Sequence, residues 1–514
     1  MASVAASNEQ MVVGVAAASI SLGTTQLGAI PFGAKADART AVGSAVVDLT
    51  PGPVKEWAIQ TLGSMDKLFL AVAVLVVIAV IAAMAGSLET RRRPIGSMMF
   101  VAAGVLGGLA VLSRQGATAL DVAPTVVGTA CGVAVLRLLS RRFWPVIGSP
   151  DGVPEERQPD ARRRGLVVYG LLGLGVVSGV IGAVGTRLAH SVAGDRSKLA
   201  LPRPHVPAAP IPADVQPKGV ALPSFITPSP DFYRVDTALS VPQLSHGDWR
   251  LRIHGMVDRE VTYSFDDLDR FDVVEAVATL TCVSNPVGGE LISTGTWTGY
   301  RLADLLKAAG VHPDADMVLS TSVDGFTAGT PTEAVIDGRD ALLAIGLNGQ
   351  PLPIEHGYPA RLVVPGLYGY VSATKWVVDL ELTRFDRAKA YWTRLGWAPR
   401  APIKTESRID VPKGGQRVAR GPVVFGGVAW AQNRGVRAVQ VRIGDADWQP
   451  AALGASYSNQ TWRLWSFPWQ AKIPGRQTIT VRAIDNTGAV QTSEQAESIP
   501  DGATGWHTVE FTVA

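Results

Sequence analysis

Only two cysteines occur in the 514 residues of this chain, and one of them stands where chemistry could be done. Cys282 lies in Ala278-Thr279-Leu280-Thr281-Cys282-Val283-Ser284-Asn285-Pro286-Val287-Gly288-Gly289, where an apolar, β-branched run breaks into a polar, glycine-rich turn. A lone thiol there has two readings, a chemically active sulfur or a small buried hydrophobe. The ligand count fails for zinc: no second cysteine is at hand, and the seven histidines (190, 205, 246, 254, 312, 356 and 507) are scattered. A disulfide fails because Cys131 lies in an apolar stretch of membrane-spanning type, so the two sulfurs belong to different structures. A hydrolase has no Gly-x-Ser-x-Gly elbow and no phosphate loop to rest on. No Cys-x-x-Cys-His haem-attachment motif is present.

The elements around Cys282 read as an α+β domain from about residue 231 to 402. Trp249 to Gly255 alternates like a half-buried strand, Ser264 to Leu268 opens a short capped helix, and Val273 to Cys282 is a strand that the cysteine closes. Tyr300 to Ala309 is an amphipathic helix, Asp316 to Asp324 a strand, and Arg361 to Pro365 a buried strand ending in the turn Gly366-Leu367-Tyr368-Gly369-Tyr370. Residues 403–514 differ. Short alternating segments (Val423 to Trp430, Val436 to Ile443, Trp462 to Trp469, Gln477 to Ile484) recur with turn signals between them, as in an immunoglobulin-like β-sandwich.

The first 190 residues belong to another solvent. The chain is 47% apolar and 18% charged, with positive mean hydropathy, and the excess sits in the N-terminal part. Spans are expected at about 10–34, 68–88, 94–113, 119–139 and 165–186, each close to the roughly 20 residues that cross a hydrocarbon core as a helix. The fourth needs Arg137 to snorkel toward the headgroups. Residues 1–10 carry no Lys or Arg, so a retained helix is favoured over a cleaved signal peptide. Arg91 to Arg93, Arg137, Arg141, Arg142, Arg157 and Arg162 to Arg164 flank one side, ten against five on the other (Lys35, Arg39, Lys55, Lys67, Arg114). That bias puts the N-terminus in the cytoplasm and everything after the fifth span outside it. No histidine lies within a span, which argues against a transmembrane haem relay. The series Gly173, Gly175, Gly179 and Gly182 reads as close helix packing. Residues 191–230 form a linker, with nine prolines between 201 and 230, expected to be an extended, semi-rigid spacer. A net charge of +3 without a basic patch gives no support for nucleic-acid binding.

Several blocks carry a family resemblance. Thr279-Leu280-Thr281-Cys282-Val283-Ser284-Asn285, followed by Trp297-Thr298-Gly299-Tyr300-Arg301-Leu302-Ala303-Asp304-Leu305-Leu306, resembles the active-site segment of the sulfite oxidase family of molybdenum enzymes. Ser322-Val323-Asp324-Gly325, Asn348 to Pro353, His356 to Gly366 and Thr374-Lys375-Trp376 resemble that family's cofactor-binding blocks, in the same order. The segment ending near Gly505-Trp506-His507 resembles its dimerisation domain. The resemblance covers about residues 222 to 514 and implies a molybdenum–molybdopterin cofactor with Cys282 as the thiolate ligand. It further implies that His356, Arg361 and Lys375 hold the pterin phosphate, and that Tyr233, Arg234, Asn285, Ser322, Val323, Asp324 and Thr374 line the cofactor. Tyr391 stands near the place of a tyrosine beside the metal, at a shorter spacing, with a core aromatic as the alternative.

This sequence departs from the family where the substrate would sit. The cysteine is followed by Val283-Ser284-Asn285-Pro286, which keeps the Asn and lacks the family's Arg, and Arg234-Val235-Asp236 replaces Arg-Asn-His. A dianion needs converging cations, so sulfite is a doubtful substrate. The expectation is a membrane-anchored, extracytoplasmic oxidoreductase moving an oxygen atom and two electrons, working with a small substrate, a separate electron carrier and the bilayer, with a homodimer open. A cofactor-free scaffold that keeps the fold is the alternative. Arg162-Arg163-Arg164 before the last span reads either as an internal twin-arginine export signal or as plain positive-inside charge.

Overall fold

A long apolar run in lipid can satisfy its backbone only within itself, as a helix. In the computed structural model the apolar stretches form the helices Ala2–Gly28, Asp66–Leu88, Ile95–Leu112, Ala123–Phe143 and Ala161–Ala189. Among the described residues five helices are long and apolar enough to cross a membrane. The structure describes residues 2–143, 161–235 and 237–514, apart from 52, 53, 55, 56, 59, 60 and 62–64. Lys55, Arg157 and Asp236 of the sequence reading therefore lie outside the described residues. The chain divides into two units, Met1–Ser191 with Ala238–Val241, and Val192–Thr237 with Pro242–Ala514.

In the first unit the opening helix stops at Gly28, short of residue 34, because Pro31 and the left-handed Gly33 (φ 79°) end it. A helix the sequence reading did not foresee, Ala38–Leu49, follows, its N-terminal amides at Arg39 and Thr40 donating to the Asp37 carboxylate. Arg137 does not simply snorkel. Its Nε donates to Ser97 Oγ (3.0 Å) and lies 4.0 Å from Glu89, whose carboxylate also accepts the Ser97 amide (2.7 Å). Backbones touch where glycine permits: any side chain on Gly14 would strike Ala82, and one on Gly86 would strike Gln10 and Gly14. Gly175 and Gly182 close in the same way on Ser19 and Gln26, whereas Gly173 faces open space.

The second unit is built on four sheets. One orders the strands Val261–Ser264, Arg250–Gly255, Val377–Thr383, Met317–Ser322 and Thr327–Pro331. A second orders Val273–Thr281, Ile292–Arg301, Leu342–Leu347 and Gln350–Pro351, with Arg361–Val363 also paired to Leu342–Leu347. The helix Leu302–Ala309 follows directly, burying Leu302, Leu305, Leu306 and Ala309 on the i, i+3, i+4 face that amphipathicity requires. The expected capped helix near Ser264 is a 3-10 turn, Asp266–Arg270, with Asp267 accepting the Ser264 amide and hydroxyl.

The last two sheets face each other. One holds Glu406–Val411, Gly421–Trp430, Arg463–Ala471 and Ala452–Leu453; the other holds Arg417–Val418, His507–Val513, Gly475–Asp485, Val436–Ile443 and Gln449–Pro450. Strand alternation gives the first of these sheets two buried faces. Ile409, Phe425, Ala429, Trp465 and Phe467 point to the facing sheet, while Val428, Trp430 and Leu464 join the core of residues 249–403.

The proline-rich stretch is extended but does not stand off as a spacer. The His205 amide donates to the Val273 carbonyl and the Glu275 amide to the Val206 carbonyl, Thr227 donates to the Thr294 carbonyl, and Val215 and Phe225 are buried in the core. Ahead of it the helix Ala193–Lys198 is clasped by Arg196, which donates to the Pro351 and Leu352 carbonyls (both 2.7 Å), and by Asp195, which accepts the Tyr358 hydroxyl (2.6 Å).

Replacing Gly86 with Leu forces two backbones apart and should destabilise the helical unit by about 1–3 kcal/mol. Gly173→Leu should leave it unchanged, which thermal unfolding of the two variants in detergent would check.

Candidate active site

Cys282 follows the last residue of the strand Val273–Thr281 and begins a loop that returns at Leu291. The loop closes on itself: the Cys282 amide donates to the Leu291 carbonyl (3.0 Å), the Leu291 amide to Asn285 Oδ1 (2.8 Å), and the Asn285 amide to the Cys282 carbonyl (3.2 Å). Asn285 thus spends its carbonyl on the loop, while its buried Nδ2 has no partner among the described residues. Cys282 is half-buried and forms no disulfide.

The residues after position 402 hold this loop from outside. Arg408, buried and paired with Asp410 (2.9 Å), donates to the Gly289 carbonyl (2.9 Å). Gly288 (φ 79°) lies flat against the His507 ring, and His507 Nδ1 accepts the Ile409 amide (2.9 Å). Along the cysteine strand, Thr279 donates its amide to the Gln460 carbonyl, accepts Gln432 Nε2 at its own carbonyl (3.2 Å), and receives the Trp462 amide at its hydroxyl (2.8 Å).

On the inner side the sheet brings an aromatic and cationic group together. Phe232 stacks on Tyr233 and meets Trp297 and His356 edge-on, with centroids 5.4 and 5.7 Å away. Arg361 is buried, lies 5.2 Å above the Trp297 ring, and donates to the carbonyls of Leu362, His356 and Ala373. Burial pulls its pKa down to about 10, with the Tyr233 phenolate form opposing. Tyr233 is pushed far above its ordinary value by burial and then by the Cys282 charge, against Arg361. Two glycines make the approach possible: Gly369 borders the Tyr233 hydroxyl and the Thr281 carbonyl, and Gly357 (φ 108°) fits between Arg361 and Lys375.

The other expected residues are distributed as follows. Lys375 Nζ donates to the Glu355 carbonyl (3.2 Å) and lies 4.6 Å over the Trp376 ring. The Ser322-Val323-Asp324 turn reaches this block through the Val323 amide, which donates to the Trp376 carbonyl (3.0 Å), and Asp324 accepts the Phe326 amide. Thr374 is committed to structure, its hydroxyl paired with Ser320 (2.7 Å). Arg234 is exposed. Tyr391 packs on Phe326 and Trp392, and its amide donates to the Thr327 hydroxyl.

Sequence reasoning did not single out Trp297, Tyr368, Glu406, Arg408 or His507 as individual site residues. Trp297, Tyr368 and His507 stood inside quoted motifs; nothing local marks Glu406 or Arg408, whose roles arise from strands paired far along the chain.

The arrangement suits a ligand rich in nitrogen and oxygen. Thr281 Oγ1 and Asn285 Nδ2, on either side of Cys282 in the chain, and Ser322 Oγ, beside the turn bonded to Trp376, are buried without partners among the described residues. No group of His, Cys, Asp and Glu side chains among the described residues is arranged to hold a metal by itself, so a metal here would need ligands from a cofactor as well as the sulfur.

Residues 238–392 match the family model "Oxidoreductase molybdopterin binding domain". The chain is 32% identical to the uncharacterized oxidoreductase YuiH of Bacillus subtilis, over 31% of this chain and 81% of that protein. The chain belongs to the sulfite oxidase family of molybdopterin oxidoreductases. It is 30% identical to mitochondrial sulfite oxidase of Rattus norvegicus, over 52% of this chain and 57% of that enzyme, so it spans little more than half of the length of that relative. Among solved structures, the sulfane dehydrogenase SoxCD of Paracoccus pantotrophus superposes with a TM-score of 0.50 at 26% identity, over 56% of this chain and 82% of that one. The cofactor of a sulfite oxidase family protein is molybdenum–molybdopterin, and the unpartnered donors and cationic cluster beside Cys282 fit it.

Two buried groups give opposite pH signatures. Burial, then Arg408, pushes His507 down to about 4, so its contribution to stability is present above pH 6.5 and lost as pH falls through about 4. Burial, opposed by Lys404, pushes Glu406 up to about 8, so its contribution is present below about pH 4.5 and lost as pH rises through about 8. Glu406→Gln should therefore gain on wild type by on the order of 2–4 kcal/mol between pH 5 and 9, and His507→Gln should lose less stability between pH 6.5 and 4. Denaturant unfolding across pH reads both.

Proposed function

We propose that the chain is a membrane-anchored molybdopterin-dependent oxidoreductase that transfers an oxygen atom and two electrons to or from a small substrate outside the cytoplasm. The observation that carries the reading is a site where the Tyr233 hydroxyl and the carbonyl of Thr281, the residue before Cys282, border the same glycine, with Arg361 buried over Trp297 and spare polar atoms that have no partner among the described residues. The cofactor, when bound, supplies a metal that exchanges an oxygen atom and two electrons. The chain's own residues do the rest. Cys282 supplies a soft thiolate in a loop that cannot drift, since both ends of the loop are hydrogen-bonded together. Arg361, His356 and Lys375 offer positive charge for the pterin phosphate, Arg361 as a fixed fork and Lys375 as a point charge. Tyr233, Asn285, Thr281 and Ser322 hold unspent or buried polar groups toward the pterin, and Val323 and Asp324 shape the turn that presents Ser322.

Arg234 and Thr374 belong to this reading as flanking and supporting residues, and Tyr391 as a tyrosine near the substrate side. Residues 403–514 act as an immunoglobulin-like, dimerisation-type sandwich. The five apolar helices anchor the chain with its N-terminus in the cytoplasm, and the separate electron carrier docks from the membrane or its outer surface. The arginines at 162–164 are read as an export signal for a domain that acquires its cofactor before crossing.

Elemental analysis tests the central claim. Full-length protein purified from a host that makes molybdopterin should contain molybdenum at close to one atom per chain, and Cys282→Ser should lose most of the metal-centred absorption. A metal-free wild type would leave the scaffold reading standing instead.

A further inference from the structure

The sheet that holds Glu406–Val411 and Gly421–Trp430 turns an unusual set of side chains toward the cysteine loop. Glu406 and Trp430 are directly opposite in the antiparallel register, so they leave the same face of the sheet side by side. That face is the one that packs into the cofactor domain: Trp430 shares its core with Tyr368, Leu367 and Val283, the residue after Cys282. Both side chains are buried, Glu406 at 4% exposure and Trp430 at 0%. Both hold a polar atom with no partner among the described residues, Glu406 Oε1 and Trp430 Nε1. Gln432, just beyond, donates to the Thr279 carbonyl and leaves its buried Oε1 unpartnered as well.

Hydrogen bonding ties this face to the cysteine loop: Arg408, two residues from Glu406 on the same face, donates to the Gly289 carbonyl (2.9 Å). Burial raises the Tyr368 phenol, and the charges of Glu406, Asp501 and Cys282 raise it further. The neighbouring cations are committed elsewhere. Lys404 Nζ is bound to Asp501 (2.8 Å) and the Gly502 carbonyl, Arg408 to Asp410 and the Gly289 carbonyl, and Arg434 to Asp485 (2.7 Å) and Thr405. Buried donors without acceptors are costly unless a ligand completes them. A carboxyl without a counter-ion stays protonated there, and burial holding Glu406 up to about pKa 8 agrees. An indole N–H and a neutral carboxyl side by side offer two hydrogen-bond donors and no positive charge. An oxyanion arriving there would gain no ion pair and would meet a group able to turn negative.

We propose that Glu406 and Trp430, with Gln432 at their edge, form the substrate-selecting wall of the Cys282 site, and that this wall admits an uncharged ligand accepting hydrogen bonds through an oxygen in preference to an oxyanion. The inference rests on the molybdopterin reading of Cys282 and adds a substrate class to it. It places the choice of substrate on the sandwich strands and not on the cofactor blocks.

The test uses full-length, molybdenum-loaded protein in detergent and reads binding rather than turnover. Trimethylamine N-oxide, an oxide with no net charge, and sulfate, a dianion, are titrated separately while the metal-centred absorption is followed. Wild type should bind the N-oxide more tightly than sulfate. Glu406→Ala and Trp430→Phe should each weaken the N-oxide about tenfold without weakening sulfate, and Glu406→Gln, which keeps a neutral donor, should stay within about twofold. Should one of the first two variants fail to fold, the other carries the same comparison. Tighter sulfate binding by the wild type, or unchanged N-oxide binding in the molybdenum-replete variants, would overturn the wall while leaving the cofactor reading intact. Wild type without molybdenum would overturn the cofactor reading, and the wall with it.

Discussion

The position of one sulfur depends on a loop that has almost no regular structure of its own. From Cys282 to Leu291 the chain is held by three internal backbone bonds, the Asn285 side chain, and then by groups from another part of the sequence. The Arg408–Asp410 pair is central among these. Removing either partner would leave the other buried without its counter-ion, and removing Arg408 would also take the donor from the Gly289 carbonyl. His507 completes the grip through the Ile409 amide, in a contact only a glycine at 288 allows. Cofactor domain and sandwich are therefore not a main part with an appendage; each completes the other's hydrogen bonding around the Cys282 loop.

That dependence follows from a sheet buried on both faces. The strands Glu406–Val411 and Gly421–Trp430 alternate so that Ile409, Phe425 and Ala429 fill the sandwich while Glu406, Arg408, Val428 and Trp430 turn the other way. An ordinary sandwich sheet would put solvated residues on that second face. Here the positions are occupied by a buried acid, an ion pair and an indole, which are poor choices for packing alone and good ones for a polar cavity.

Much of this was legible in the sequence because it is local. Strand alternation placed the Cys282 strand, the Arg361 strand and the sandwich strands to within a few residues, and hydropathy gave five apolar helices. The motifs Ser322-Val323-Asp324, His356 to Gly366 and Thr374-Lys375-Trp376 fell in one neighbourhood, as their order suggested. What escaped was non-local. Proline content suggested an extended spacer over residues 201–230, but whether such a chain stands free or lies against a domain is decided by its partners, here Val273, Glu275 and Thr294. The opening helix was drawn too long because hydropathy does not count Pro31 and Gly33 as stops. Thr374 was taken for a cofactor contact, and its hydroxyl is spent on Ser320, a pairing made across sheet neighbours and invisible to a motif.

A strand with two cores also separates two kinds of change along a single stretch of sequence. In Gly421–Trp430 and its partner Glu406–Val411, alternate positions answer to different neighbours, one set to the stability of the sandwich and the other to the environment of the sulfur. Substitutions on the second set can alter what the site accepts while Cys282, Arg361 and Lys375 stay unchanged. Members of this lineage could diverge in chemistry through residues that a comparison of cofactor motifs would pass over, so the informative positions for sorting them lie at every second residue of a sheet far along the chain from the cysteine.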